Sequence, residues 1–254
     1  MATLYDRKEL PDAEIIAHVK EYYNQIKKDP KGRFQRTLSL FPDKEMRILD
    51  YGCGWGHYSY ELFLRENIVT GIDLMPNEID ICKMVWEERS NLKYLTTDIT
   101  TIKNNSYDAV LSAQVIEHVH NVGNYLTEIS RVLDQDGYLV ISLPNVMNPR
   151  FFLSLMNSKY EKKLLETSNY YLDEYKKQLH HVNSWDPFHF TILLASAGFK
   201  LVKYIGSEGI PLPNTRFLPN YLKGSLSNKV LKNYTYTMQF LFQKVQESNI
   251  KTID

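Results

Sequence analysis

Apolar residues at Ile15, Ile16, Val19, Tyr22, Tyr23 and Ile26 recur close to every 3.6 positions. Residues 12–28 are therefore expected as one amphipathic helix, opened by Pro11 and Asp12 and broken by Asp29-Pro30-Lys31-Gly32. A shorter helix is expected over 33–41, stopped by Pro42. From residue 46 the pattern changes. Short apolar runs at 46–50 (MRILD), 68–73 (IVTGID), 92–97, 107–112 (YDAVLS) and 138–143 (YLVISL) predict buried strands. Helical stretches follow the first run to about residue 65, occupy 76–88 with Pro76 in the first turn, and occupy 121–133. Strands alternating with helices at this spacing predict right-handed crossovers and a parallel sheet covered on both faces.

After the fifth run the alternation lapses. Residues 149–179 read as mainly helical, an insertion that would lie above the C-terminal strand ends, either as a lid or as helices that only enlarge the core. Asp186-Pro187 supplies an N-cap and first helical position, Gly198 a stop, and 199–205 a strand. A Pro-rich loop is expected at 209–219 and a last strand over 234–245. The chain is expected to be a single doubly wound α/β domain over 1–254. Within it lie a helical cap (1–42), a ligand-binding core (46–145) and a helical lid insertion (149–184).

Charge narrows the partners. Lys+Arg and Asp+Glu are 30 each, and this balance disfavours nucleic acid, whose phosphates call for a basic surplus. No run approaches the ~20 apolar residues of a membrane span, and the first residues lack the apolar core of a signal peptide. With only two cysteines, Cys53 and Cys82, the chain is expected in the reducing cytoplasm. Arg150, Lys159, Lys162 and Lys163 in the insertion would suit either an anionic partner or a solvated helix face.

The chemistry gathers at the strand ends. Asp50 is followed by Gly52, Gly54 and Gly56, a G-x-G-x-G loop that lets backbone turn and approach a ligand without Cβ contacts. A dinucleotide loop more often reads G-x-G-x-x-G. A carboxylate just before the glycines would oppose a pyrophosphate and attract a cationic or amine-bearing ligand. Asp73 ends the second strand and could hold both ribose hydroxyls of a nicotinamide cofactor or of S-adenosylmethionine (SAM). Asp98 ends the third and could meet an adenine amino group. Singly, each acid would serve as well for a helix cap; three at successive strand ends suggest a nucleoside site.

The segments ILDYGCGWG, GIDLMP, YLTTDIT, YDAVLSAQVIEHV and RVLDQDGYLVISLPN, within residues 46–206, resemble the successive motifs of class I SAM-dependent methyltransferases. They are most similar to the small-molecule branch with ubiquinone-type and sugar O-methyltransferases. The resemblance implies a seven-stranded, mainly parallel, Rossmann-like sheet with the last strand antiparallel. It implies SAM as cofactor and S-adenosylhomocysteine as product. It places Gly52 and Gly54 along the methionine with Asp50 near by, Asp73 and Leu74 at the ribose, and Asp98 and Ile99 at the adenine. Ser112, Ala113 and Gln114 would lie along the methionyl arm and sulfonium. Trp55 and His57 are less usual in that loop. Base-modifying amino-methyltransferases tend to carry a [D/N]-P-P-[Y/F] turn where this chain has Ser112-Ala113-Gln114-Val115, so oxygen on a small molecule is the expected acceptor.

A proton-accepting group is sought among the histidines. His118 lies just past the fourth strand, and Glu117-His118 resembles the Glu-His pair of the ubiquinone-type relatives, in which a divalent metal is implicated. Two adjacent residues make a poor metal signature, and no metal is expected from the sequence. His181, in His180-His181-Val182-Asn183-Ser184-Trp185, resembles a family position facing the acceptor. His118 and His181 are the candidate catalytic residues, each equally suited to a structural hydrogen bond. His189 reads as packing or surface. Tyr22 and Tyr23 could close over the cofactor or simply be core. The expected acceptor is a small molecule or glycan precursor bearing a sugar, nucleotide or phosphate, with a role in bacterial surface polysaccharide on likeness alone. The competing readings are an NAD-dependent oxidoreductase and a non-catalytic SAM-binding protein.

Overall fold

In β1 (Arg47–Tyr51), Ile48 and Leu49 point to opposite faces of the sheet and each is wholly buried, in two different core clusters. That is the signature of a strand covered on both sides. A computed structural model describes residues 12–149, 160–174, 180–208 and 231–246. The remaining strands are β2 (Ile68–Asp73), β3 (Leu92–Thr96), β4 (Tyr107–Ala113), β5 (Leu133–Pro144), β6 (Phe199–Ser207) and β7 (Thr237–Lys244). Their order is β3-β2-β1-β4-β5-β7-β6. Neighbours from β3 through β5 run parallel, and β7 is antiparallel to both β5 and β6. This is the expected doubly wound, seven-stranded, mainly parallel sheet. Strand order reverses between β1 and β4, and the crevice outside their carboxyl ends is where such sheets bind ligands.

The helices are α1 (Asp12–Lys28), α2 (Arg33–Leu38), α3 (His57–Leu64), α4 (Pro76–Trp86), α5 (Val122–Val132), α6 (Tyr160–Glu174) and α7 (Pro187–Ser196). One core holds Val19 and Tyr23 of α1, Phe34 and Leu38 of α2, Leu62 of α3 and Ile79 and Val85 of α4. The other face carries Leu126 and Ile129 of α5 with Phe190 and Leu194 of α7. The helical cap is pinned by polar contacts as well. Tyr23 Oη donates to Glu61 at 2.5 Å, and Lys27 Nζ stands 2.9 Å from the same carboxylate. Gln239 Nε2 of β7 donates to Arg33 O at 2.8 Å and to Thr37 Oγ1 at 2.6 Å, fixing the first turn of α2.

Several boundaries differ from the sequence pattern for visible reasons. α2 ends at Leu38; Leu40 N and Phe41 N then donate to Thr37 O and Leu38 O, three residues back, so 39–41 form a turn and not a continued α-helix. α4 stops at Trp86 because Glu87 adopts φ 55°. β5 starts five residues early, at Leu133 opposite Tyr107. The register then slips at a bulge before Ala109 meets Tyr138, with Asp136 at φ 63°. The last strand begins at Thr237, not 234. The side-chain amide of Asn145 takes the carbonyls of Asn233 and Thr235, and 231–234 form a 3-10 turn. α6 is the helix described within the 149–184 insertion, and its residues 161–170 are exposed. There Lys162 pairs with Glu166 at 3.5 Å on the surface. Arg150, Lys159 and the Pro-rich stretch 209–219 lie outside the described residues.

Candidate functional site

The chain leaves β1 in a loop whose amides are already engaged. Gly52 N and Cys53 N both donate to Ile72 O (2.9 and 3.0 Å), Gly54 N donates to Asp73 Oδ2 (3.1 Å), and Gly56 N donates to Cys53 O (2.9 Å). Gly52 and Gly54 have φ of 76° and 50°, the left-handed region that disfavours side chains. Their surroundings differ. A Cβ on Gly52 would run into Val115, whereas one on Gly54 would meet nothing within 4 Å. Gly52 is thus required by packing, and Gly54 fronts open space.

That space is a cavity of about 340 Å³, whose walls include Gly54, His57, Ala113, Gln114, Arg33 and Glu208. Gln114 also has positive φ (61°), and its N–H donates to Ser142 O at 2.8 Å. Its Oε1 accepts from Arg33 Nη1 at 2.9 Å. Arg33 is the one Arg or Lys among the described residues lining the cavity. Its place was not readable in the sequence. It follows a helix breaker with no periodic or motif signal, and only the docking of α2 on β7 brings it to the end of β4. His57 is nearly buried and its Nε2 lies 3.3 Å from Val19 O. Burial pushes its pKa down to about 4, despite that contact, so it is a neutral wall at pH 7. Tyr22 packs edge-on against both His57 and Trp55, placing α1 over the glycine loop.

The strand-end acids separate in role. Asp50 is 1% exposed and accepts from Ser59 Oγ of α3 at 2.5 Å. Burial drives its pKa up to about 7, the Ser59 bond pulls the other way, and the Asp73 charge adds to the rise. It therefore stands behind the glycine loop, turned into the core, and is not among the cavity's walls. Asp73 holds two amides, Gly54 N by Oδ2 and Met75 N by Oδ1 at 2.9 Å. Beside it Leu74 is 61% exposed. Asp98 is a cap: its Oδ1 accepts from Thr100 N at 2.9 Å at the start of the 3-10 turn Ile99–Thr101. The Ile99 side chain is buried in the core with Leu49 and Ile72. Ser112 is likewise wholly buried, its hydroxyl bonded to Tyr125 Oη on α5, so Ala113 and Gln114 alone of that trio line the cavity.

Beyond Gln114 a second cluster forms. The 3-10 turn Ile116–His118 leads into α5, and the segment before α7 folds back on it. Val182 N and Asn183 N both donate to Glu117 O (2.8 and 3.1 Å), and the Asn183 side-chain amide donates to Val119 O. This strap sets the rings of His118 and His181 edge-on, 4.8 Å apart. His118 Nδ1 lies 3.0 Å from His180 O. Burial lowers the His181 pKa, with the charges of His118 and His180 acting the same way. Glu117 is buried, and burial raises its pKa to about 7. One ligand atom from each of Glu117, His118 and His181 lies within 4.8 Å of the other two. A carboxylate and two imidazoles are a donor set that fits a divalent cation. His189 is exposed and bonded to Asp186, the N-cap of α7.

Comparisons with known proteins bear on the same region. Residues 49–141 match the sequence profile of a family described as "Methyltransferase domain". Over 149 residues the chain is 28% identical to the ubiquinone biosynthesis O-methyltransferase of Rickettsia bellii, covering 58% of this chain and 55% of that protein. It is 26% identical over 177 residues to the protein of the same name from Azorhizobium caulinodans, covering 68% and 66%. The chain thus spans little more than half the length of the Rickettsia relative. In three dimensions it superposes on a SAM-dependent methyltransferase from Archaeoglobus fulgidus with a TM-score of 0.57 at 16% identity, over 88% of this chain and 98% of that one. It superposes on one from Mesorhizobium loti with a TM-score of 0.57 at 14% identity, over 82% and 96%. At such identities the likeness is one of fold.

Proposed function

We propose that the chain is a class I SAM-dependent methyltransferase that methylates a hydroxyl oxygen of a small molecule, a reading supported by the match of residues 49–141 to a methyltransferase domain. The observation that carries the reading is the state of the glycine-loop amides. Those of Gly52, Cys53, Gly54 and Gly56 are spent on Ile72 O, Asp73 and Cys53 O. A pyrophosphate needs such amides free, which argues against a dinucleotide. A nucleoside with an amino-acid tail does not need them. Its ribose hydroxyls suit Asp73, on the β2 side of the loop. Its carboxylate suits Arg33, on the β4 side, where Gln114 already holds the guanidinium. The exposed Leu74 offers apolar surface to an adenine edge.

The sulfonium is an activated leaving group, so acceleration comes from alignment of the acceptor in line with the methyl–sulfur bond and from exclusion of water. Removal of the acceptor proton falls to the groups beyond Gln114. The His118–His181 pair can take it directly, for a gain of about 10²–10⁴-fold. A divalent cation held by Glu117, His118 and His181 would instead make the hydroxyl more acidic. The choice of oxygen is supported by the O-methyltransferase relatives. A glycan precursor remains one member of the acceptor class. Calorimetry is expected to give roughly micromolar binding of S-adenosylhomocysteine, about −8 kcal/mol. Incubation with SAM and hydroxyl-bearing acceptors should then add one methylene mass by mass spectrometry. Binding of NADH in place of S-adenosylhomocysteine would end this reading.

A further inference from the structure

The chain's two cysteines, Cys53 and Cys82, are free, buried, and gathered on one atom. Cys82 Sγ on α4 donates to Gly54 O at 2.9 Å, and Cys53 Sγ lies 3.9 Å from the same oxygen. The thiols also meet each other. Contact with Cys82, together with burial, holds the Cys53 pKa well above the usual thiol value. Two glycines leave the space for the sulfurs: a Cβ on Gly71 would stand 3.0 Å from Cys53 Sγ, and one on Gly56 3.0 Å from Cys82 Sγ. The Tyr94 ring packs against both places, and its buried hydroxyl has no hydrogen-bond partner. Cys82 is fully enclosed, whereas Cys53 is 8% exposed and is among the walls of the cavity. A small reagent in the cavity thus reaches Cys53 and not Cys82.

Methyl transfer has no use for this pair. We propose that Cys53 and Cys82 form a reversible disulfide on exposure to a hydroperoxide, and that its closure draws the glycine loop out of its cofactor-binding shape. The Cys53 thiolate attacks the hydroperoxide, forming an S–O bond as the O–O bond breaks and an alcohol, or water, leaves. Tyr94 Oη, otherwise unpaired, is a donor beside the pair for that oxygen. Cys82 sulfur then attacks Cys53 sulfur, and the oxygen departs as water with the thiol proton. The two thiols lose two electrons, and the hydroperoxide gains them. Core packing of Ile79 and Val85 holds α4, while Cys53 stands between two glycines, so the loop is the part that gives. Bonded sulfurs at about 2.0 Å are roughly an ångström or more closer than non-bonded ones, and Cys82 loses the proton it gives Gly54 O. Gly54, which fronts the cavity, moves with Cys53. A bound cofactor in turn shields Cys53. Both consequences for the cofactor rest on the methyl-transfer reading; the disulfide itself does not.

The test is treatment of the reduced full chain with hydrogen peroxide at about pH 8, nearer the thiol range, with and without S-adenosylhomocysteine. The intact mass is expected to fall by two hydrogens, with a peptide joining residues 53 and 82, and dithiothreitol should restore both thiols. By calorimetry the oxidised chain should bind S-adenosylhomocysteine at least tenfold more weakly, recovering on reduction. Saturating S-adenosylhomocysteine should slow the disulfide by a similar factor. Cys82→Ser keeps a donor for Gly54 O and should hold its affinity through the same treatment; the wild-type readouts decide even where that variant fails to fold. Two thiols that survive peroxide, added oxygen in place of lost hydrogens, or a disulfide between two chains would overturn the proposal. So would an oxidised chain that binds S-adenosylhomocysteine as tightly as the reduced one. A reduced chain that does not bind it would count against the methyl-transfer reading alone, since the mass still decides the disulfide.

Discussion

Arg33 Nη1 donates to Gln114 Oε1 across 2.9 Å, joining the start of α2 to the end of β4. The bond holds a guanidinium at the cavity wall. Arg33→Ala is expected to weaken S-adenosylhomocysteine about 10- to 100-fold, the value of one charge-assisted hydrogen bond (~1.5–3 kcal/mol). Arg33→Lys should recover part of that. Affinity unchanged in Arg33→Ala, measured by calorimetry, would remove Arg33 from the cofactor site.

Gly52 and Gly54 should separate stability from binding. Both carry positive φ, for which alanine costs about 1–2 kcal/mol. At Gly52 the added methyl also collides with Val115, at about a further 1–3 kcal/mol. Gly52→Ala should therefore melt at the lower temperature of the two. Gly54→Ala has room for its methyl but places it in the crevice, and it should show the larger loss of S-adenosylhomocysteine affinity relative to its loss of stability. Thermal melts and calorimetry on the pair decide the matter.

Asp50 makes stability depend on pH with a definite sign. Its folded pKa of about 7 lies above the ordinary aspartate value of 3.8, so between these values the native chain holds a proton that the unfolded chain has lost. The stabilisation it brings is full below the unfolded value and fades as pH rises through 7. Asp50→Asn, which keeps a partner for Ser59, should flatten the stability profile between pH 4 and 7. Urea melts across that range would show it, and an unaltered slope would count against a protonated Asp50.

Glu61 ties the helical cap to the sheet domain through Tyr23, Lys27 and Arg65. Burial raises its pKa, but the Tyr23 and Lys27 contacts outweigh that and hold it below the usual value. Its contribution is thus present above pH 4.5 and lost as pH falls. Glu61→Gln should cost about 1 kcal/mol, since Lys27 and Arg65 are partly solvated. It should also change the fluorescence of Trp86, which packs against Tyr23. An unchanged Trp86 signal would mean that α1 docks without this carboxylate.

Much of the fold was legible because local rules and global packing agree. The period of α1 places Val19 and Tyr23 inward, and the Asp186-Pro187 and Gly198 signals bound α7. The strand-end position of Asp73 likewise led to a residue that braces the glycine loop. Ser112 and Ile99 show where the pattern runs out. Each lies where a motif points, yet strand alternation or core packing turns the side chain away from the crevice. Asp50 reads as a ligand contact in sequence and is a buried brace in space.

The sequence by itself determined the alternation of strands and helices, the glycine turn and the strand-end acids. Each of these depends on residues a few positions apart, through backbone freedom and the inward face of one element. Only the tertiary structure decided that Arg33 meets Gln114, that the loop amides are already spent, and that His181 comes to Glu117 and His118. Those relations join segments far apart in the chain. Hydrophobic burial on both faces of the sheet, a force without direction along the sequence, brings them together, and hydrogen bonds then fix which side chains meet.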